Sequence, residues 1–151
     1  MILSHFTKHH FMFIDDYPYS QKNRHNQKPH GLWLSDESDF GWKEWCTAED
    51  FKVDHLAYET KFTIKPGSNV LRLESESDIV GFHEEYSVLP DWYRSGDNRF
   101  LRTPDWERVS REYDGILITP YYRLWDRFMT WHDCWDVSSG CFWNTDILEM
   151  L

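Results

Sequence analysis

The pattern of apolar and polar positions predicts several β-strands along this chain. In LAYETKFTI (56–64) apolar residues recur at nearly every second position, and VLRLES (70–75) repeats the alternation. Between them, KPGSN has the composition of a hairpin turn, so the two strands are predicted to pair antiparallel. Further strands are predicted in ILSHFTKHHFMFI (2–14), which continues into a short helix or second strand, in HGLWLS (30–35) and in DGILITPYY (114–122).

Apolar spacings of three and four predict a short aromatic helix after the strand HGLWLS. In DESDFGWKEWCTAEDF (36–51) Trp42, Trp45 and Cys46 fall on one helical face. Gly41 weakens the beginning of this helix. Tryptophans around such a strand-to-helix turn can wall a pocket for a flat ring, and the alternative is that they belong to the core.

Two more helices are predicted from capping residues and spacing. SESDIVGFHEEYSVL carries apolar residues at helical spacing, with Ser75 or Ser77 as its N-cap. In TPDWERVSREY the predicted N-cap is Thr103, with Pro104 at the first helical position.

The fold class that follows from these elements is α+β. Helices and strands mix without regular βαβ alternation, and the hairpin implies antiparallel pairing. We therefore expect a compact split sheet, antiparallel or mixed, with small helices. The C-terminal stretch is predicted to hold two aromatic runs around a Ser-Ser-Gly turn. A length of 151 residues predicts a single domain, 1–151.

Composition and charge limit the classes of partner. The chain is 18% aromatic, with a mean hydropathy of −0.70 and a formal net charge of −10, which fits a folded protein with an aromatic core. This charge argues against general binding to nucleic-acid backbones, which requires clustered Lys and Arg. No apolar run is long enough for a membrane span and no signal peptide is visible, so the predicted location is cytoplasmic, in a bacterium or an infected host cell.

The cysteines and glycines predict neither a metal site nor a phosphate loop. His132, Cys134 and Cys141 lie close in sequence, but a structural zinc site normally needs four ligands at tighter spacings. Cys141 stands beside Phe142 and Trp143, which favours a buried thiol over a nucleophile. Neither glycine-rich nucleotide motif occurs, so chemistry that depends on ATP is not predicted. No metal cofactor is expected.

Three motifs together resemble the histidine-type branch of the ADP-ribosyltransferase superfamily, which includes poly-ADP-ribose polymerases and DNA-targeting toxins. They are HFT on the first strand, GLWLS on the second, and a late acidic residue in YDGI or WDVSSG. The resemblance implies an ADP-ribosyltransferase-like fold with NAD as a substrate. The implied reaction cleaves the nicotinamide glycosidic bond and transfers ADP-ribose to an acceptor that the sequence does not identify.

The resemblance also implies which residues act. A first-strand histidine holds the ribose next to nicotinamide, a second-strand aromatic stacks on the nicotinamide ring, and an acidic residue orients a hydroxyl or the acceptor. The implied NAD-binding residues are His5, Phe6, Thr7, Gly31, Leu32, Trp33, Ser35 and Trp42, and the implied catalytic residues are His5, Asp114 and Asp136. Two departures stand out: the stacking position is usually tyrosine or phenylalanine, and no Glu-x-Glu or Gln-x-Glu pair occurs late in the chain.

A different class of function is also open: a non-catalytic inhibitor or binding protein, of a kind that phages and viruses encode. Such a protein binds a host protein or sequesters a nucleotide. The loop DWYRSGDNRFLR (91–102), with Trp92, Tyr93, Arg94 and Arg99, has the mixture typical of binding hot spots.

Overall fold

A seven-stranded mixed sheet and several short helices give the chain an α+β fold. The computed structural model describes residues 1–14, 17, 19–22, 27–93 and 98–151. The strands are β1 (Ile2–Thr7), β2 (Leu32–Ser35), β3 (Tyr58–Ile64), β4 (Val70–Leu73), β5 (Ser87–Val88), β6 (Thr103–Pro104), β7 (Gly115–Ile118), β8 (Ser139–Phe142) and β9 (Leu148–Met150). The α-helices are α1 (Trp42–Ala48), α2 (Glu76–Tyr86), α3 (Trp106–Glu112) and α4 (Thr130–Asp133), and 3₁₀ turns span Val53–Leu56, Arg99–Leu101, Trp125–Arg127 and Thr145–Ile147. No helix in the described ranges is long and apolar enough to cross a membrane.

The order of strands in the large sheet is β4-β7-β8-β2-β1-β3-β9, and β5 pairs with β6 in a separate ribbon. β4 and β7 run parallel, whereas the other neighbours are antiparallel. Parallel strands need a crossover connection. Here that connection contains α2 and α3, which therefore pack together beside the sheet.

Helices cover one face of the sheet, and the irregular segment after β1 covers part of the other. Phe82, Trp106 and Trp131 from α2, α3 and α4 share a buried cluster with Ile116 and Ile118 of β7. On the opposite face, the buried residues are Leu3, Leu32, Leu34, Phe62, Leu117, Phe142, Ile147 and Leu148, against which Phe11, Phe13 and Tyr19 pack. Alternation along each strand sends successive side chains to these two cores.

The predicted caps are right for one helix and wrong for another. The Ser75 hydroxyl accepts a hydrogen bond from the amide of Asp78, which confirms Ser75 as the N-cap of α2. α3 instead begins after Asp105, whose carboxylate accepts from the amide of Arg108. Thr103 is not the cap because Thr103 and Pro104 form β6 against β5.

The predicted hairpin at KPGSN is wrong, although the segment does turn. β3 pairs with β1 and β9, whereas β4 pairs with β7. The redirection has a visible cause at Asn69. Its amide donates to the Asp114 carboxylate at 2.9 Å, and its side chain donates to the carbonyl of Glu112 at 2.5 Å. These bonds hold the start of β4 against the chain that enters β7.

The predicted Ser-Ser-Gly turn is also wrong, because Ser139 and Gly140 belong to β8 in the middle of the sheet. Gly140 is needed there for steric reasons. A Cβ at this position would lie 2.8 Å from the carbonyl oxygen of Ile116 and 2.9 Å from the ring of Phe142. The absence of a side chain at Gly140 therefore allows β8 to lie close to β7 and to the ring of Phe142.

We expect Gly140→Ala to lower the free energy of unfolding by about 1–3 kcal/mol, the usual cost of overpacking. Gly81→Ala is the matched control, because a Cβ at this position in α2 meets no atom within 4 Å. That change should instead stabilise the protein by up to about 1 kcal/mol through helix propensity. Chemical denaturation measures both values, and equal effects at the two glycines would contradict the packing argument.

Candidate functional site

A cleft opens where the large sheet splits between β1 and β2. Within the described chain these strands pair at one position, Ser4 opposite Ser35, whereas β1 pairs with β3 at six. One residue after Ser4, the two strands are joined by a side chain and not by a main-chain hydrogen bond. The Nδ1 atom of His5 lies 2.8 Å from the carbonyl oxygen of Trp33. Because a carbonyl only accepts, Nδ1 carries the proton and Nε2 is the acceptor. Burial lowers the pKa of His5, against the bond to Trp33, so the ring is neutral at pH 7.

Aromatic side chains wall this cleft, which has a volume of about 320 Å³. The rings of Trp33 and Trp135 lie 4.6 Å apart between centroids, tilted by 58°. Phe6 and Trp42 contribute further aromatic surface. The complete lining is Ser4, His5, Phe6, Lys28, Trp33, Leu34, Ser35, Trp42, Lys52, His55, Trp135, Val137 and Ser139. Such walls suit a flat ring.

All ionisable side chains of this described lining are basic or histidine. They are His5, Lys28, Lys52 and His55, whereas acidic residues outnumber Lys and Arg in the whole chain by 26 to 16. The Lys28 ammonium also lies 5.3 Å from the centroid of the Trp33 ring, within the range of a cation–π interaction. The lining therefore brings two ammonium groups, those of Lys28 and Lys52, to the cleft of an acidic protein, and either can attract an anionic group of a ligand.

Asp136 lies immediately behind the cleft. Its neighbours Trp135 and Val137 both line the cavity, and its carboxylate is 3.7 Å from the Lys28 ammonium. The backbone of Asp136 is left-handed, with φ at 70°. Burial raises the pKa of this carboxyl, and the charge of Lys28 offsets part of the rise. If Lys28 moves away, the Asp136 carboxylate loses its ion-pair partner.

The turn after β2 fixes Trp42 at the cleft. The Ser35 hydroxyl accepts from the Trp42 amide at 2.7 Å and donates to Glu37 at 2.5 Å. The Asp36 amide donates to the carbonyl of Ser138 at 2.8 Å, which ties the turn to the chain entering β8. Ser35 thus serves as an anchor for α1 while it lines the cleft.

Five of the residues proposed from the sequence line this cleft: His5, Phe6, Trp33, Ser35 and Trp42. His5 and Trp33 nevertheless leave opposite faces of the sheet, since alternation groups His5 with Leu3 and Trp33 with Ser35. The His5 ring packs on Phe11 at 4.5 Å between centroids. His5 therefore meets Trp33 through the backbone, across the split.

Three other proposed NAD-binding residues do not line the cleft. Leu32 is buried in the core on the opposite face, and the Thr7 hydroxyl donates to the carbonyl of His9 at 2.7 Å. Gly31 borders a separate shallow cavity. A Cβ on Gly31 would lie 2.6 Å from the Cys141 sulfur, so close packing explains this glycine.

The structure does not bring Asp114 to the cleft. Its carboxylate accepts from the amide of Asn69 at 2.9 Å and from the side chain of Asn144 at 2.8 Å. Asp114 precedes Gly115, which pairs with Phe142 at the far end of β8 from Ser139, roughly 10 Å along the strand. Asp114 joins three chain segments, and Asp136 is the aspartate beside the cleft.

The tryptophans around the strand-to-helix turn have separate roles. Trp33 and Trp42 line the cleft, whereas Trp45 stacks on Trp42 at 5.0 Å outside the lining. None of the three is fully buried. They are therefore not all core residues.

Sequence reasoning missed several lining residues, notably Lys28, Lys52, His55 and Trp135. Lys28 lies in a polar segment that reads as an exposed loop, and Lys52 and His55 lie outside all three motifs. Trp135 is the exception, because it begins the motif WDVSSG and stands directly before the candidate Asp136.

The cysteines and histidines considered for a metal have other surroundings. His132 stacks on Tyr121, the Cys134 thiol lies 3.0 Å from the side-chain oxygen of Gln27, and Cys141 is buried. No group of three or more His, Cys, Asp or Glu that could hold a metal is found in the part of the chain that the structure describes. All three cysteines are free thiols.

The loop considered as a binding hot spot is described in part. Trp92 is 70% exposed, and its ring packs edge-on against Tyr93 at 6.1 Å. Arg94 lies outside the described residues, as does the side chain of Arg99.

Comparisons of this chain with models of known protein families, with curated proteins and with solved structures gave no match.

Proposed function

We propose that the cleft binds NAD and that the protein is an ADP-ribosyltransferase-like enzyme, in fold and in reaction. The observation that carries the proposal is the lining itself: aromatic walls formed by Phe6, Trp33 and Trp135, together with Lys28 and Lys52. A nucleotide combines flat rings with negative phosphates, which are the two properties that this lining favours. The nicotinamide ring stacks on Trp33 in this proposal.

The reaction needs little beyond positioning and charge. The bond between the nicotinamide nitrogen and the ribose C1′ breaks, and its electron pair neutralises the positive ring, which leaves. An acceptor nucleophile then bonds to C1′ and loses its proton. The transition state resembles an oxocarbenium ion, so a nearby carboxylate stabilises it. Asp136 is the carboxylate that we assign to this role.

His5 has a positioning role in this proposal. Its Nδ1 proton is committed to the carbonyl of Trp33, and that bond fixes the backbone of the stacking residue at the split. The resemblance assigns ribose binding to the same histidine, for which Nε2 is the one acceptor on the ring.

Binding is tested by titrating the protein with NAD, with calorimetry and tryptophan fluorescence as the readouts. We expect Trp33→Ala to weaken NAD binding about tenfold or more, the usual effect of losing one stacking contact. Trp125→Ala is the control, because Trp125 is 64% exposed and does not line the cleft. Trp33→Phe, which retains a ring against Trp135, should keep most of the affinity.

Unfolding midpoints of the variants show whether any loss of affinity comes from loss of the fold. Equal NAD affinity in the wild type and in a folded Trp33→Ala variant would contradict the stacking role. Absence of binding at millimolar NAD would overturn the proposed function itself.

One observation favours a second candidate, a protein that sequesters a nucleotide without turnover. No aspartate or glutamate is among the described residues that line the cleft. Asp136 reaches the ligand in the first proposal only when Lys28 releases it. The two candidates differ in one assay: incubation with NAD liberates nicotinamide if the protein is an enzyme and leaves NAD intact if it is a binding protein.

A further inference from the structure

A second aromatic surface lies outside the cleft and is continuous with it. We name Trp45 and Phe51 the outer platform. The Phe51 ring meets Trp45 edge-on at 5.4 Å, and Trp45 stacks on Trp42 at 5.0 Å with an interplanar angle of 15°. Phe51 is 41% exposed. Because Trp42 also lines the cleft, the aromatic surface runs from the cavity to the outside.

The backbone around Phe51 is strained. Asp50 and Lys52 both adopt left-handed conformations, with φ at 50° and 48°. Such values are uncommon for residues other than glycine, and clusters of them occur at functional sites. The Phe51 amide donates to the carbonyl of Cys46 at 2.9 Å, which holds the turn against α1. The result is an apolar ring kept in contact with solvent.

Lys52 joins the two surfaces. It is one of the residues that line the cleft, and its ammonium lies 5.2 Å from the centroid of the Phe51 ring. A cation at this border suits a negatively charged group that lies between two rings of one ligand.

The size of the cleft leaves part of a dinucleotide outside. Its volume of about 320 Å³ is at the lower end for small-molecule sites, which span about 300–1,000 Å³. A ligand with two bases and a pyrophosphate is too large for such a cleft, so one half of it would lie outside.

We propose that the outer platform stacks the second base of a dinucleotide whose first ring occupies the cleft, with the linking phosphates beside Lys52. This inference rests on the proposed function. For NAD, nicotinamide lies in the cleft and adenine lies on Phe51. The outer platform thus selects dinucleotides over mononucleotides.

The test compares the affinities of NAD and nicotinamide mononucleotide, which lacks the adenylate half. We expect the wild-type protein to bind NAD about tenfold more tightly, as one stacked base contributes. Phe51→Ala should remove this preference by weakening NAD alone. Phe100→Ala is the matched control, since Phe100 is another exposed phenylalanine, at 55%, and does not line the cleft.

Phe51→Leu keeps the apolar bulk and decides the test if the alanine variant does not fold. Equal affinities of the wild type for the two ligands, or a preference that survives in folded Phe51 variants, would overturn the outer platform while NAD binding stands. Absence of binding by both ligands overturns this inference together with the proposed function.

Discussion

Replacing Asp136 by asparagine should slow nicotinamide release from NAD about 100-fold or more, the usual effect of removing a group that stabilises charge in a transition state. NAD affinity should change by less than about threefold, because the 3.7 Å pair with Lys28 is long and partly exposed. Asparagine suits this position, since it tolerates the left-handed backbone of Asp136. The change removes the charge and little else.

The control for this variant is Asp126→Asn. Asp126 is an exposed aspartate in the 3₁₀ turn Trp125–Arg127, and it does not line the cleft. Its variant should release nicotinamide at the wild-type rate. Full turnover by the Asp136 variant would show that this carboxylate takes no part in the reaction. A wild-type protein that binds NAD and releases no nicotinamide would identify the sequestering protein.

The pH profile gives an independent check on Asp136. In the proposed reaction the Asp136 carboxylate acts in its ionised form, and burial raises the pKa of this group. The rate should therefore fall on the acid side at a higher pH than an ordinary aspartate would produce. The residual activity of the asparagine variant should lack that acid limb.

Local patterns predicted elements well, whereas pairing depended on contacts distant in sequence. Spacing was sufficient for α2 and its cap, because Ser75 and the apolar positions act within one helix. The sequence did not predict the path from β3 to β4. That path depends on the carboxylate of Asp114, which accepts a hydrogen bond from the amide of Asn69, 45 residues away in the chain. Likewise, Ser139 and Gly140 form a strand because β8 pairs with β7 on one side and with β2 on the other.

The residues of the candidate site divide in the same way: local motifs identified some of them, and contacts distant in sequence bring the others to the cleft. Two short motifs identified His5 and Trp33 as site residues. The two residues meet because β1 and β2 are neighbouring strands that pair at Ser4 and Ser35 and separate beyond them. Lys52 and His55 reach the cleft through the strained turn after α1, and no periodicity marks such a turn. Asp114 had the same sequence signal as Asp136. Their positions along the strands separate them, and the strand register is set by tertiary packing.

A second large effect concerns stability, and it arises at His132. This side chain is fully buried, its ring stacks on Tyr121 at 5.0 Å, and Trp131 meets it edge-on at 5.5 Å. Neither ring nitrogen has a hydrogen-bond partner among the described residues. Burial lowers the pKa of His132 to about 4, so the folded protein holds the ring neutral.

The sign of the pH effect follows from which state binds the proton first. An unfolded histidine has a pKa of about 6.5, so between pH 6.5 and 4 the unfolded chain is protonated and the folded protein is not. The contribution of the neutral His132 ring to the free energy of unfolding is therefore complete above about pH 6.5. It is lost as the pH falls towards 4. At about 1.4 kcal/mol for each pH unit, the loss amounts to about 3 kcal/mol.

His132→Phe isolates this contribution, because phenylalanine keeps a ring against Tyr121 and does not titrate. Between pH 7 and pH 4 we expect the wild-type protein to lose about 3 kcal/mol more unfolding free energy than the variant, as measured by urea denaturation at each pH. Other groups titrate in both proteins and cancel in this difference, as does any packing change that is independent of pH. His9→Phe, at an exposed position, should reproduce the wild-type profile. Parallel profiles for wild type and His132→Phe would mean that the buried ring accepts a proton without unfolding, which would require a partner for one of its nitrogens.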